Sequence, residues 1–165
     1  MKSNLETAIS DALDILYSKD KYLISHKPFY TSNENDIHVS ERGIVFRFGI
    51  YFQEIFNQSH LLLNYNIDTE YNRNFDKPKT LPNTPWEDGH GAYPDLIVHE
   101  RGSNNSNLLI IEFKTWWSDP YTIDLDRTKL KAFKEPPYNY KYALLVVLNK
   151  TEPTLEWITD TLCNS

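Results

Sequence analysis

Two apolar runs decide how this chain folds: Tyr93-Pro94-Asp95-Leu96-Ile97-Val98 and Leu108-Leu109-Ile110-Ile111-Glu112-Phe113-Lys114. Both have the length and the aliphatic, β-branched content of strands. Between them lies Arg101-Gly102-Ser103-Asn104-Asn105-Ser106-Asn107, whose Gly, Ser and Asn residues favour chain reversal. The predicted elements are strands over 95–100 and 108–114, joined as a hairpin. Centring the turn on Asn104 sets Asp95 opposite Phe113, one position from Glu112. Side chains two apart on a strand share a face, so Glu112 and Lys114 point the same way. With Asp95 on that face too, two carboxylates and one ammonium converge at one end of the sheet.

That trio has a chemical use. Neighbouring carboxylates repel and raise each other's pKa. A divalent cation relieves the repulsion and prefers oxygen ligands. Once bound, it can acidify a water and polarise a phosphoryl oxygen. A lysine beside it can orient that water or stabilise charge on the phosphorane. The competing reading is a set of exposed cross-strand charge pairs, which contribute little. The aliphatic runs Leu96-Ile97-Val98 and Leu108-Leu109-Ile110-Ile111 favour the site, because they carry the charged residues into a buried sheet.

Outward from the hairpin, the periodicity of apolar residues gives the other elements. Leu5, Ala8, Ala12, Ile15 and Leu16 mark an amphipathic helix over 5–17. Residues 26–37 read as a loop. Ser40 is a candidate N-cap with Glu41 in the first turn, opening a helix over 41–57 whose stripe is Ile44, Val45, Phe48, Tyr51, Phe52, Ile55 and Phe56. Glu41 is spaced with Val45 and Phe48, so it leaves the helix on its core-facing side, an unusual place for a carboxylate. Residues 61–68 form a further strand. Residues 72–93, rich in Pro, Asn and Asp, read as a long loop or lid. A helix over 123–134 stops at Pro136-Pro137. Residues 142–148 form a buried strand, and 154–162 a short final helix. The expected fold class is α/β (α+β): a mixed four-stranded sheet flanked by helices, with extra N- and C-terminal helices.

The sequence Tyr93-Pro94-Asp95 followed by Ile111-Glu112-Phe113-Lys114 resembles the PD-(D/E)XK nuclease superfamily, also called restriction-endonuclease-like. The αβββαβ order matches that superfamily's core over about residues 41–148, within one domain spanning 1–165. The resemblance implies that Asp95, Glu112 and the backbone carbonyl of Phe113 bind Mg2+ or Mn2+. It makes Lys114 the catalytic lysine. Many members also carry a glutamate on the helix before the first strand, and Glu41 matches that place.

Other polar residues are secondary candidates. Glu70 and Arg73, at the end of the 61–68 strand, could join the site or be exposed strand-end charges. His99 shares strand parity with Asp95, and a satisfied structural histidine is an equal reading. Lys129 and Lys131 could meet a phosphate backbone or form a solvated helix face. Arg47 reads as a salt-bridge residue and His90 as a solvated lid residue. Trp116 and Trp117 could stack bases, but packing is the commoner use.

Composition narrows the class. The 165 residues suit one domain. The 17 Lys and Arg against 23 Asp and Glu give a net charge of −6, which argues against tight non-specific binding to nucleic acid. It leaves metal-assisted chemistry open. One cysteine, Cys163, excludes an internal disulfide and a Cys-based zinc site and fits a reducing cytoplasm. Residues 1–20 lack the pattern of a signal peptide, and the apolar run 143–148 is too short to span a bilayer. No phosphate-cradling glycine loop, His-Glu-x-x-His pair or serine elbow occurs.

The expectation is a cytoplasmic, magnesium-dependent nuclease acting on DNA in preference to RNA, with a homodimer or partner protein supplying target selection. The alternative is a catalytically silent interaction module on the same fold.

Overall fold

The computed structural model describes residues 1–24, 39–59, 64–88 and 91–159. The loop read over 26–37, the start of the 61–68 strand, His90, the end of the 154–162 helix and Cys163 lie wholly or largely outside them.

The described residues form a mixed sheet between two layers. Helix α1 (Lys2–Lys19), the short α2 (Lys21–Ile24) and α3 (Glu41–Gln58) precede it. The sheet contains β1 (Asn66–Thr69), β4 (Leu96–His99), β5 (Asn107–Thr115), β6 (Tyr142–Leu148) and β7 (Pro153–Trp157), in the order β1-β4-β5-β6-β7. Strands β2 (Arg73–Asn74) and β3 (Lys77–Pro78) make a separate small hairpin. Helix α4 (Pro120–Lys134) is the crossover between β5 and β6, which pair in parallel; the other pairs are antiparallel.

The period-2 alternation of the strands separates two cores. Leu96, Val98, Leu109, Ile111, Phe113, Leu144 and Val146 face α1 and α3, where Leu5, Ile9, Phe48 and Phe52 are buried. Ile97, Ile110 and Leu145 face the other way, onto Leu130 and Phe133 of α4 and onto Tyr138 and Tyr140. Each fully buried aliphatic or Phe side chain contributes about 1.5–3 kcal/mol, so both layers hold the sheet firmly.

Helix α3 begins at Glu41 as the cap reading implies, although Ser40 uses its backbone carbonyl, not its hydroxyl, to receive Gly43 and Ile44. Helix α4 starts three residues earlier than its apolar periodicity suggests. Asp119 accepts from Tyr121 N at 2.7 Å and Pro120 occupies the first turn, a pairing suited to helix starts.

One expectation needs correction. The sheet has five strands, not four, because 153–157 is a strand and not part of a C-terminal helix. Leu155 and Trp157 alternate with Thr154 and Glu156, and they pair opposite Val146 and Leu144. Period 2 wins there over the helical reading. The described residues of the 72–93 segment are mostly irregular, as read, with the β2–β3 hairpin inside it, and they pack against the sheet. Lys79 N donates to Asn72 O and Ala92 N to Lys79 O, both at 2.6 Å. Leu81 and Ala92 are buried, and Tyr138 Oη bridges both backbone groups of Thr80.

Candidate active site

The site lies where β4 begins and β5 ends. Leu96 pairs with Ile111, Ile97 with Ile110 and Val98 with Leu109. One step further along this antiparallel register, Asp95 stands opposite Glu112, and opposed residues share a face. The sequence reading put Asp95 opposite Phe113. The turn is centred near residue 103, with His99 opposite Asn107, and the register shift after Val98 brings the pairing back to within one position of that reading.

Asp95 is half-buried, and its Oδ2 accepts from Phe113 N at 2.7 Å. Burial raises its carboxyl to about 6, against the pull of Lys129 and the Phe113 amide. Glu112 is 1% exposed. Its Oε2 accepts from Lys129 Nζ at 2.8 Å, while Oε1 has no hydrogen-bond partner among the described residues. Burial pushes the Glu112 carboxyl well above the ordinary range; Lys129 opposes this, and Asp95 and Asp126 add to it. The two carboxyls therefore feel each other across the hairpin, as paired acids do.

Each lysine is held by acids from different elements. Lys129, on the buried face of α4, also donates to Tyr93 O at 2.5 Å. Burial works against its charge, yet Glu112 and Asp95 hold it above its ordinary pKa. Lys114 Nζ lies 2.9 Å from Glu41 Oε1 and 2.9 Å from Asp126 Oδ2. It also donates to Phe113 O at 3.1 Å. Against partial burial, Asp126 and Glu41 raise its pKa, so it is a fixed cation.

The structure thus brings together Asp95, Glu112, Phe113, Lys114, Glu41 and Lys129 from the sequence candidates. Lys129 is an internal partner of Glu112 rather than part of a solvated face. Asp126 joins them unanticipated. Its signal was present, since Asp126, Lys129, Leu130 and Phe133 share one helical stripe, and two charges on a buried stripe require partners.

The remaining candidates lie elsewhere. Glu70 pairs with Arg42 at 3.0 Å, and only its backbone N reaches Asp95 O, at 3.3 Å. Arg73 is exposed on the small hairpin and donates to Asp76 O at 3.4 Å. His99, at the opposite end of β4, bonds Asp68 Oδ2 at 2.9 Å beside Arg101. Arg47 pairs with Asp20 at 3.4 Å. Trp116 donates to Ile24 O at 3.0 Å and meets Trp117 edge-on.

Among the described residues, no group of three or more His, Cys, Asp or Glu side chains is placed to hold a metal ion. The donors at hand are Asp95, Glu112 with its unpartnered Oε1, and the Phe113 carbonyl. Hard cations such as Mg2+ commonly take one or two carboxylates and keep several waters, so this set fits. The charge count agrees. Asp95, Glu112, Glu41 and Asp126 against Lys114 and Lys129 sum to −2 when all are ionised, the charge one divalent cation neutralises.

No protein-family model matches this chain, and no match exists among the curated proteins or the solved structures. No described helix is long and apolar enough to cross a membrane.

Proposed function

We propose that the chain is a metal-dependent phosphodiesterase acting on nucleic acid, with a site of the PD-(D/E)XK type. The observation that carries this reading is the facing pair Asp95 and Glu112, both driven toward protonation, with a saturated lysine two residues beyond Glu112. Asp95, Glu112 and the Phe113 carbonyl would hold Mg2+ or Mn2+. When bound, the cation supplies Lewis-acid activation of water and of the phosphoryl oxygen.

Phe113 O is both a metal donor and one of the three acceptors of Lys114, so a cation held there would free one N–H of the lysine for the attacking water or for the charge growing on phosphorus. Glu41 and Asp126 fix the lysine's position from α3 and α4 and keep it protonated. The Phe113 amide orients the Asp95 carboxylate. Oε1 of Glu112, which Lys129 does not bond, is the oxygen that a metal would take. DNA in preference to RNA as the substrate rests on the family resemblance, cytoplasmic location on the single cysteine, and targeting by a homodimer or partner protein on the one-domain length.

A second reading is an interaction module with the same fold. The complete internal pairing of Lys114 and Lys129 favours it, since both ammoniums have acids without a metal. The two readings separate in a cleavage panel of single- and double-stranded DNA and RNA with Mg2+ or Mn2+. The nuclease reading expects cleavage that chelator, Asp95→Asn and Lys114→Ala each abolish. Absent cleavage, with no metal-induced gain in thermal stability, would leave the module reading standing.

A further inference from the structure

Of the two lysines at the site, Lys129 is the more enclosed, its side chain 8% exposed against 14% for Lys114. Oxygens from β5, from the start of β4 and from α4 stand around its Nζ. Glu112 Oε2 lies at 2.8 Å and Tyr93 O at 2.5 Å. The carboxylates of Asp95 and of Asp126, one helical turn back, are near enough to favour its charge. The Trp86 ring centre lies 5.8 Å from Nζ. Carboxylate and carbonyl oxygens gathered round a buried positive centre are also the donors that a hard metal ion takes.

Glu112 joins that place to the metal donors. Its Oε2 is taken by the ammonium, and its Oε1 has no partner among the described residues. A carboxylate divided in this way resembles one that bridges two ions, which stand about 3.5–4 Å apart in two-metal sites. The charge agrees. With Asp95, Glu112, Glu41 and Asp126 ionised and both lysines charged, one divalent ion brings the site to neutrality, and a second would bury an uncompensated +2. Without Lys129, the first ion would leave −1, which still attracts a cation.

We propose that Lys129 takes the place of a second metal ion and holds the site to a single divalent cation. Glu112 spans the two charges, with Oε1 toward the ion and Oε2 toward the ammonium. Lys129 acts through Glu112 and not on the phosphate, so it is a positioning residue that sets the number of metal ions. The inference rests on the metal-dependent reading of this site.

The test titrates Mn2+ into the protein without nucleic acid and counts bound ions by electron paramagnetic resonance. The unsubstituted protein should bind one ion per chain, with the spectrum of an isolated ion. Lys129→Ala vacates the place and removes the charge. It should bind two, with a spectrum broadened by coupling between ions about 3.5–4 Å apart. Lys129→Gln fills most of the space without the charge. It should bind one ion at least about tenfold more tightly, because no ammonium opposes it. Two ions on the unsubstituted protein, a single ion on folded Lys129→Ala, or unchanged affinity in Lys129→Gln would overturn the proposal. Should Lys129→Ala fail to fold, the Gln variant decides. No ion on the unsubstituted protein would sink both this inference and the nuclease reading. One ion there and two on Lys129→Ala, with no nucleic acid cleaved, would sink the nuclease reading and leave this inference standing. Cleavage by unsubstituted protein that binds two ions would do the reverse.

Discussion

Lys129 Nζ lies 2.8 Å from Oε2 of Glu112, and both side chains are buried. The ammonium sits on Oε2 and leaves Oε1, without a partner among the described residues, as the oxygen for a metal. It keeps two opposed acids folded without one. Breaking a buried ion pair from one side leaves an uncompensated charge and costs about 3–5 kcal/mol.

Lys129→Met should therefore lower stability by about 3 kcal/mol in urea unfolding at neutral pH. Glu112→Gln added to it should recover most of that loss, since the double variant buries no unpaired charge. A single variant as stable as the unsubstituted protein would show that Glu112 is already neutral. Metal should raise the Tm of the single variant by more than that of the unsubstituted protein, because no ammonium then opposes the cation.

Asp95 supplies a pH signature. Its folded pKa, about 6, lies above the ordinary 3.8. The folded state thus holds this proton more tightly than the unfolded chain does. Its contribution is full below the ordinary value and is lost as pH rises through about 6, up to about 3 kcal/mol in all. Asp95→Asn keeps an acceptor for the Phe113 amide and should remove this slope. Urea midpoints taken from pH 4 to pH 7 check it, and an unchanged slope in the variant would place the titration elsewhere.

The hairpin strands, α3 with Glu41, and β6 were legible because strong periodicity and local signals agreed there. The register was misread by one residue because the turn is centred near residue 103 and not Asn104, a placement that the Gly, Ser and Asn run does not fix. Asp126 and Lys129 were missed as a pair with Lys114 and Glu112 because charged residues on a helix default to solvent. Their spacing with Leu130 and Phe133 was the overlooked clue. The strand 153–157 was read as part of a helix from Thr154, a cap-like residue that is the second of the strand. Packing of residues 72–93 depends on Leu81, Ala92 and Tyr138, contacts that local Pro and Asn content conceals.

Lys114 separates chemistry from metal binding. Lys114→Ala should lower cleavage by at least about 100-fold, the scale on which such charge-stabilising groups act. The metal-induced rise in Tm should survive, because Asp95 and Glu112 remain. Loss of the metal response along with cleavage would make this lysine structural. Glu41→Gln should lower cleavage less, because Asp126 still holds the ammonium.

His99 belongs to a stabilising cluster. Asp68 accepts from His99 and from Arg101, and these bonds outweigh burial to hold its carboxyl well below the ordinary range. The sign is opposite to that of Asp95: this stability is present above the ordinary pKa and is lost as pH falls toward the lowered one. Asp68→Asn should remove about 1–3 kcal/mol at neutral pH, and the difference should shrink on acidification.

Diffraction from crystals grown with Mn2+, recorded with its anomalous signal, tests the central claim most directly. The expected result is a peak about 2.0–2.6 Å from carboxylate oxygens of both Asp95 and Glu112, on the Oε1 side of Glu112. A map with no peak between them at saturating Mn2+ would contradict it.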